Sequence, residues 1–299
     1  LITAIKGVRV RRAAAVVVTT GAMIATGVVG SAPAQAAPAK PTITAKGGFV
    51  MNSANGQTLF TKAADTKRLT ASTTKVMAAK VVLSQSNLDL NAKVTIKKAY
   101  SDYIVANGAS SANLIVGDKV TVRQLLYGMM LKSGCEAAMA LADKFGSGST
   151  VSARTKNFIA KMNTTAKSLG MTNTKFDSFD GISKGANAST PRDLTKLARN
   201  VMKNSTFKTI VATKAYTAKT ITASGTTRTM ATWNNTNDLL GWKGTIGIKT
   251  GSGTEAKYCL VFAATRNGKT IVGTVLTSSN ATNRTADVKK LMDYGFATL

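Results

Sequence analysis

The sequence predicts an α+β fold: an antiparallel sheet made from both ends of the chain, covered by helices, with an all-helical lobe beside it. Three observations carry this reading. "GGFVMNSANGQTLFTK" has two short alternating runs around Asn55-Gly56, the pattern of a β-hairpin. From about 70 to 202 the apolar residues recur mostly at three-four spacing, as in helices. From about 215 to 277 alternation returns, and a final helical stretch closes the chain. Clefts form between such lobes.

In chain order, the first segment is set apart. Lys6, Arg9, Arg11 and Arg12 precede an apolar run from Ala13 to Val29, and Ala34-Gln35-Ala36 fits a small-x-small cleavage site. This is the pattern of a secretory signal peptide over 1–36. The apolar run is roughly 25 Å long as a helix, short of the ~30 Å bilayer core. Residues 37–299 then read as one domain, with a helical lobe at about 65–203 inserted in an α/β lobe of 37–64 and 204–299.

Within the insert, Thr121–Leu131, Cys135–Phe145, Val151–Leu169 and Pro191–Lys203 are the expected helices. Pro191 follows Thr190 as a proline in the first helical position, with Asp193 in the first turn. The expected strands are Ala215–Thr222, Thr227–Trp233, Gly244–Lys249, Tyr258–Thr265 and Thr270–Thr277, before a helix from about Ala286 to Phe296.

Composition narrows the chemistry. The 299 residues contain no histidine, which excludes a Ser-His-Asp triad, a Cys-His pair and every histidine metal site. No cofactor or metal is expected. The net charge is +27, falling to +23 without the leader. The lysines are scattered with no aromatic interleaving, so no nucleic-acid partner is expected. Anionic wall polymers or lipid headgroups suit such a basic exported chain better. Cys135 and Cys259 are too few for a disulfide scaffold and read as two free, packed thiols.

A base must then come from Asp, Glu, Lys or Tyr. In "LTASTTKVMAAKVVL", Ser72 and Lys75 lie three residues apart at the start of an apolar helix, on a shared face. A lysine there can serve as base if burial and a nearby positive charge keep it neutral. The free N–H groups of the helix start favour a developing oxyanion. Ser-x-x-Lys is a weak pattern alone and recurs at Ser205–Lys208, read as a surface helix or turn. Lys249-Thr250-Gly251 strengthens it. That triplet ends an apolar strand, where glycine permits close approach of a ligand or another backbone. The two motifs occur together in penicillin-binding proteins and class A β-lactamases.

From about Gly47 to Phe296 the chain resembles a low-molecular-mass penicillin-binding protein of the D-alanyl-D-alanine carboxypeptidase/transpeptidase family. "ASTTKVMAAKVVL", "VTVRQLLYGMMLKSGCEAAMALAD", "FDSFDGISKGANASTPRDLTKLAR" and "IGIKTGSGTEAKYCLVFAATRNGKTIVGTVL" carry the resemblance. It implies a serine-type hydrolase and transpeptidase acting on peptidoglycan stem peptides that end in D-Ala-D-Ala, inhibited by β-lactam antibiotics and located outside the membrane. It implies Ser72 as acylated nucleophile, Lys75 as its base and Ser133 as proton relay. Lys249 and Thr250 would bind the substrate carboxylate, and Lys249 would depress the pKa of Lys75. The N–H groups of Ser72 and Ser252 would form the oxyanion hole, beside Gly251. Arg192 and Asp193 match a family segment at the cleft edge without an assigned step.

One position departs from the pattern. The second motif usually ends in Asn, and here it ends in Cys135. Ser111-Ala112-Asn113 offers a literal Ser-x-Asn but lies in a polar loop. The rivals are a serine β-lactamase, for which neither Glu136 nor Glu255 is placed as the deacylating base, and a non-catalytic penicillin- or wall-binding protein.

Overall fold

The computed structural model describes residues 38–182 and 185–299. The expected signal peptide at 1–36 lies outside the described residues. The chain enters through β1 (Gly47–Asn52), β2 (Thr58–Lys62) and a short β3 (Arg68–Leu69). A 3-10 turn over Ala71–Thr74 leads into α1 (Lys75–Leu83), followed by β4 (Lys93–Thr95), α2 (Lys98–Asn107) and β5 (Lys119–Thr121). Four helices follow in the next stretch: α3 (Val122–Leu131), α4 (Cys135–Phe145), α5 (Val151–Ser168) and, after β6 (Ala188–Ser189), α6 (Pro191–Val201). Then come α7 (Ser205–Ala212), β7 (Ala215–Tyr216), β8 (Lys219–Ile221), β9 (Thr227–Thr229) and β10 (Trp233–Asn234). The chain ends with β11 (Thr245–Gly253), β12 (Lys257–Arg266), β13 (Lys269–Ser278) and α8 (Ala281–Ala297).

The main sheet has the order β11-β12-β13-β1-β2, antiparallel throughout, so both chain ends build it. It is buried on both faces because successive side chains point to opposite sides. Val50, Leu260, Phe262, Ile271 and Val275 pack on one side with Val288 and Leu291 of α8. Phe49, Met51, Val261, Ala263 and Val272 face the other way, into the core shared with α1, α3, α4 and α6. The carboxylate of Asp287 on α8 locks the incoming chain to the last helix. It accepts from the backbone N–H of Thr44 at 2.9 Å and of Ala45 at 2.7 Å, and from the Thr44 hydroxyl at 2.9 Å.

The expected helices occur with small shifts at their ends. Thr121 caps α3 and Gln124 reaches back to its N–H, a reciprocal cap at the boundary the sequence suggested. Thr190 accepts from Asp193 N–H to cap α6. Three expectations need correction. The Lys-Thr-Gly triplet does not end its strand, because β11 runs on to Gly253, paired with β12 throughout. Ala215–Thr222 is not one strand. It breaks after Tyr216, whose ring stacks on Tyr127 at 4.0 Å, and the halves join different sheets: β7 pairs β10, and β8 pairs β5 and β9. Thr227–Trp233 divides in the same way, into β9 and β10. The stretch at Ser205–Lys208 opens a helix whose Phe207, Ile210 and Val211 are buried.

Replacing Asp287 by Ala would leave the buried Ala45 N–H and the part-buried Thr44 N–H without their acceptor. An unsatisfied buried donor costs about 1–3 kcal/mol, so Asp287→Ala is expected to lose at least ~2 kcal/mol of unfolding free energy in urea. A loss within error of zero would show that the chain entry is not held there.

Candidate active site

The turn Ala71–Thr74 is assembled from its own polar residues. Thr70 and Thr74 share a hydroxyl hydrogen bond of 2.7 Å, and the Asn187 amide donates to both at 3.0 Å. Ala71 takes a positive φ of 45°, which sets Ser72 on a tight 3-10 turn just before α1 begins at Lys75. The sequence places Ser72 at the start of the helix, and the structure puts it one turn earlier.

Two glycines press on this turn from different sides. A Cβ on Gly251 would lie 3.1 Å from the backbone nitrogens of Ser72 and Thr73 and from the Thr70 carbonyl. At Gly181, where φ is +98°, a Cβ would meet the Ala71 carbonyl oxygen at 1.9 Å. Edge strand β11 and the 178–182 loop thus both touch the serine turn, at distances only glycine permits.

Lys75 is fully buried. Its Nζ contacts Ser72 Oγ at 2.9 Å, the Asp180 carbonyl oxygen at 2.9 Å and Cys135 Sγ at 3.3 Å. Lys249, 1% exposed, bonds through Nζ to the Thr250 carbonyl at 3.0 Å. Neither lysine forms an ion pair with a carboxylate among the described residues. Burial, and then the charge of Lys75, push the pKa of Lys249 down to about 7. Near neutral pH Lys249 is therefore only partly protonated.

Ser133 precedes α4 with φ at 60° and a buried Oγ that has no hydrogen-bond partner. Its carbonyl accepts from Ser110 Oγ at 2.7 Å. Burial raises the pKa of the Cys135 thiol, outweighing the nearby Lys75 charge, so this sulfur is not poised as a nucleophile. Both cysteines are free and buried.

Ser72, Ser133, Cys135, Thr250, Gly251 and Ser252 line one cleft of about 790 Å³; Lys75 and Lys249 lie buried behind these residues, Lys75 on Ser72 and Cys135 and Lys249 on the Thr250 carbonyl. All eight expected site residues are brought together. The other candidates fall elsewhere. Ser111 donates to Glu136 Oε1 at 2.7 Å, and that carboxylate also accepts from Ala112 N–H, so Glu136 braces the 110–114 loop. Arg192 pairs with Asp65, and Asp193 accepts from Asn173 N–H and the Thr174 hydroxyl.

Three cleft groups were not read from the sequence. Arg284 of α8 lines the cleft and is 6% exposed. Thr236 shares a 2.7 Å hydroxyl bond with Thr250. Asp180 offers its carbonyl to Lys75. Single residues in ordinary surroundings leave no periodic or motif signal. Among the described residues no cluster of His, Cys, Asp or Glu could hold a metal.

Fold and constellation together fit a serine peptidase whose candidate serine contacts a lysine, in a chain without histidine. Comparison with known proteins narrows the class. The family profile described as D-alanyl-D-alanine carboxypeptidase matches residues 34–280. A D-alanyl-D-alanine carboxypeptidase of Streptomyces sp. strain K15 is 67% identical over 290 residues, 97% of this chain and 99% of that protein. The crystal structure of the Streptomyces K15 DD-transpeptidase superposes with a TM-score of 0.86 at 69% identity, covering 87% of this chain and all of that one. The carboxypeptidase DacF of Bacillus subtilis is 30% identical over 85% of this chain, which spans 62% of DacF. The chain belongs to the D-alanyl-D-alanine carboxypeptidase family, whose members are serine peptidases.

The lysine burial has a consequence for stability. Between about pH 7 and the ordinary lysine value of 10.5, the unfolded chain holds a proton at Lys249 that the folded chain lacks. Unfolding then takes up a proton, so this group makes stability rise with pH across that window. Lys249→Met is expected to remove that rise, measured by denaturant unfolding at pH 6.5, 8 and 9.5. An unchanged slope would contradict the assignment.

Proposed function

We propose that this enzyme, a serine-type D-alanyl-D-alanine carboxypeptidase and transpeptidase, forms its acyl-enzyme on Ser72 with Lys75 as general base. The 2.9 Å contact between Ser72 Oγ and Lys75 Nζ, in a site without histidine, carries the reading. Lys75 takes the hydroxyl proton as Ser72 Oγ attacks the carbonyl of the D-Ala-D-Ala bond. The N–H groups of Ser72 and Ser252 receive the developing oxyanion. Ser133, whose Oγ is otherwise unpartnered, passes the proton to the leaving amine, and D-alanine departs. Lys249, Thr250 and Arg284 hold the substrate's terminal carboxylate, which supplies the negative charge this wall of the cleft lacks. Water or an amine then takes the acyl group.

The substrate is the peptidoglycan stem peptide ending in D-Ala-D-Ala, and penicillins enter as acylating analogues. Glu136 is committed to bracing a loop, and Glu255 lies on the exposed turn after β11 at the cleft edge, with no hydrogen bond to Ser72 or Lys75 among the described residues, so neither carries the β-lactamase reading with fast deacylation. The reading places the enzyme outside the membrane, held there by anionic wall polymers or lipid headgroups. N-terminal sequencing of exported protein tests the leader, with Ala37 as the expected first residue.

Intact mass spectrometry after benzylpenicillin tests the central step. A stable adduct on Ser72 is expected, absent from Ser72→Ala, with Lys75→Arg slowed at least 1000-fold because guanidinium stays protonated. Labelling of either variant at the parent rate would overturn the assignment.

The Cys135 position bears on the fate of the acyl group. An Asn there would offer an amide to the substrate backbone, whereas Cys is smaller and a weak hydrogen-bond partner. The acyl chain is then less firmly held for water, while an amine acceptor brings its own contacts. Cys135→Asn is expected to raise hydrolysis relative to transfer by several-fold, about 1 kcal/mol for one hydrogen bond. Product partitioning with a D-Ala-D-Ala peptide and a glycyl acceptor measures this. An unchanged or lower ratio would make Cys135 a packing residue only.

A further inference from the structure

Asp180 presents two faces to the site. Its backbone carbonyl accepts from Lys75 Nζ at 2.9 Å, yet its carboxylate makes no ion pair with that ammonium. The carboxylate is held elsewhere. Oδ2 accepts from the Tyr103 hydroxyl at 2.8 Å, and Oδ1 accepts from the Ile182 N–H at 2.9 Å. Asp180 is fully buried, so no solvent competes for these oxygens. Tyr103 comes from a different element, α2, and its ring packs on Phe179 at 5.3 Å between centroids. Burial, and then the negative charge of Asp180, raise the pKa of the Tyr103 hydroxyl, so it remains a donor across the working range.

The arrangement has a chemical consequence. The residue whose carbonyl touches Lys75 Nζ also carries a carboxylate, and what limits the rotation of that side chain is its pair of bonds to Tyr103 and the Ile182 N–H. An opposite charge at contact favours the protonated amine and would disable it as a base. We propose that Tyr103 is a positioning residue for acylation: its hydroxyl holds the Asp180 carboxylate away from Lys75, leaving only the uncharged carbonyl on the amine.

Lys75 then meets neutral acceptors alone, namely Ser72 Oγ, Cys135 Sγ and the Asp180 carbonyl. The other charged or titratable groups around it are Cys135 on α4 and Lys249 on β11, with Arg284 of α8 acting on Lys249. Around Tyr103 they are Asp180, Asp177 and Cys135. Among these, Asp180 is the anion already in backbone contact with the amine. The Gly181 contact with Ala71 fixes the loop, and the Ile182 N–H holds Oδ1, so Tyr103 is the restraint on the carboxylate that comes from another element.

This inference rests on Lys75 as base and is tested by the pH dependence of benzylpenicillin acylation in Tyr103→Phe, Asp180→Asn and the double variant. Tyr103→Phe is expected to be about tenfold slower at pH 7, with its half-maximal rate shifted up by about one pH unit and recovery at alkaline pH. Adding Asp180→Asn removes the charge and should restore the parental profile. A merely structural tyrosine would lower the rate at every pH, with no rescue by Asp180→Asn. An unshifted Tyr103→Phe profile, or a shifted one that the second substitution does not restore, overturns the proposal. Should Tyr103→Phe fail to fold, the double variant decides alone: acylation near the parent rate supports the proposal, and an inactive double variant overturns it. Lys75→Arg run alongside separates the two readings. If it acylates normally, the base assignment falls; if it is inactive while Tyr103→Phe is unshifted, only the tyrosine proposal falls.

Discussion

Two lysine side chains, Lys75 and Lys249, are buried at the heart of this protein, and neither has an ion-pairing carboxylate among the described residues. Taking an unpaired ammonium out of water costs several kcal/mol, and a second one nearby raises that cost. The fold meets the constraint with neutral oxygens and sulfur around Lys75, and with a Lys249 whose pKa is pushed down to about 7. In a chain with no histidine, a buried lysine thereby sits against the candidate nucleophile, Ser72.

The rest of the architecture serves to bring these two groups to one serine. Lys75 arrives on the first turn of α1 and Lys249 on the edge strand of the main sheet, elements separated by most of the chain. They meet because Gly251 lets β11 lie against the Ser72 turn, and because Gly181 lets the 178–182 loop close over Ala71. The threonines around Ser72 spend their hydroxyls on one another and on Asn187, which fixes the turn before any substrate arrives. Preorganisation of this kind is what allows backbone N–H groups to stabilise a charge that exists only transiently.

The sequence disclosed the long elements because burial imposes a strong period on them. The alternation in β12 and β13 and the three-four spacing of α3 to α6 survive in the structure. Short strands such as β3, β4 and β6 were invisible, since two or three residues cannot show a period. The break at Tyr216 was hidden too, because aromatic stacking on Tyr127 is a tertiary event. At the site, motif spacing exposed Ser72, Lys75, Ser133 and Lys249, all of which reach the cleft or its wall. Asp180 acts toward Lys75 through its backbone carbonyl, which every residue possesses, so no residue-type signal could mark it. Arg284 lies on the outermost helix in sequence terms and enters the cleft only through the way α8 packs across the sheet.

The depressed pKa of Lys249 is tested most directly by NMR titration of the lysine side-chain amines in the intact, unliganded enzyme. One lysine transition near pH 7 is expected, against ordinary values near 10.5 for exposed lysines, and it should disappear in Lys249→Met. If every lysine amine titrates above pH 9, the pair carries its full charge at neutral pH, and the account of how this site works without histidine is wrong.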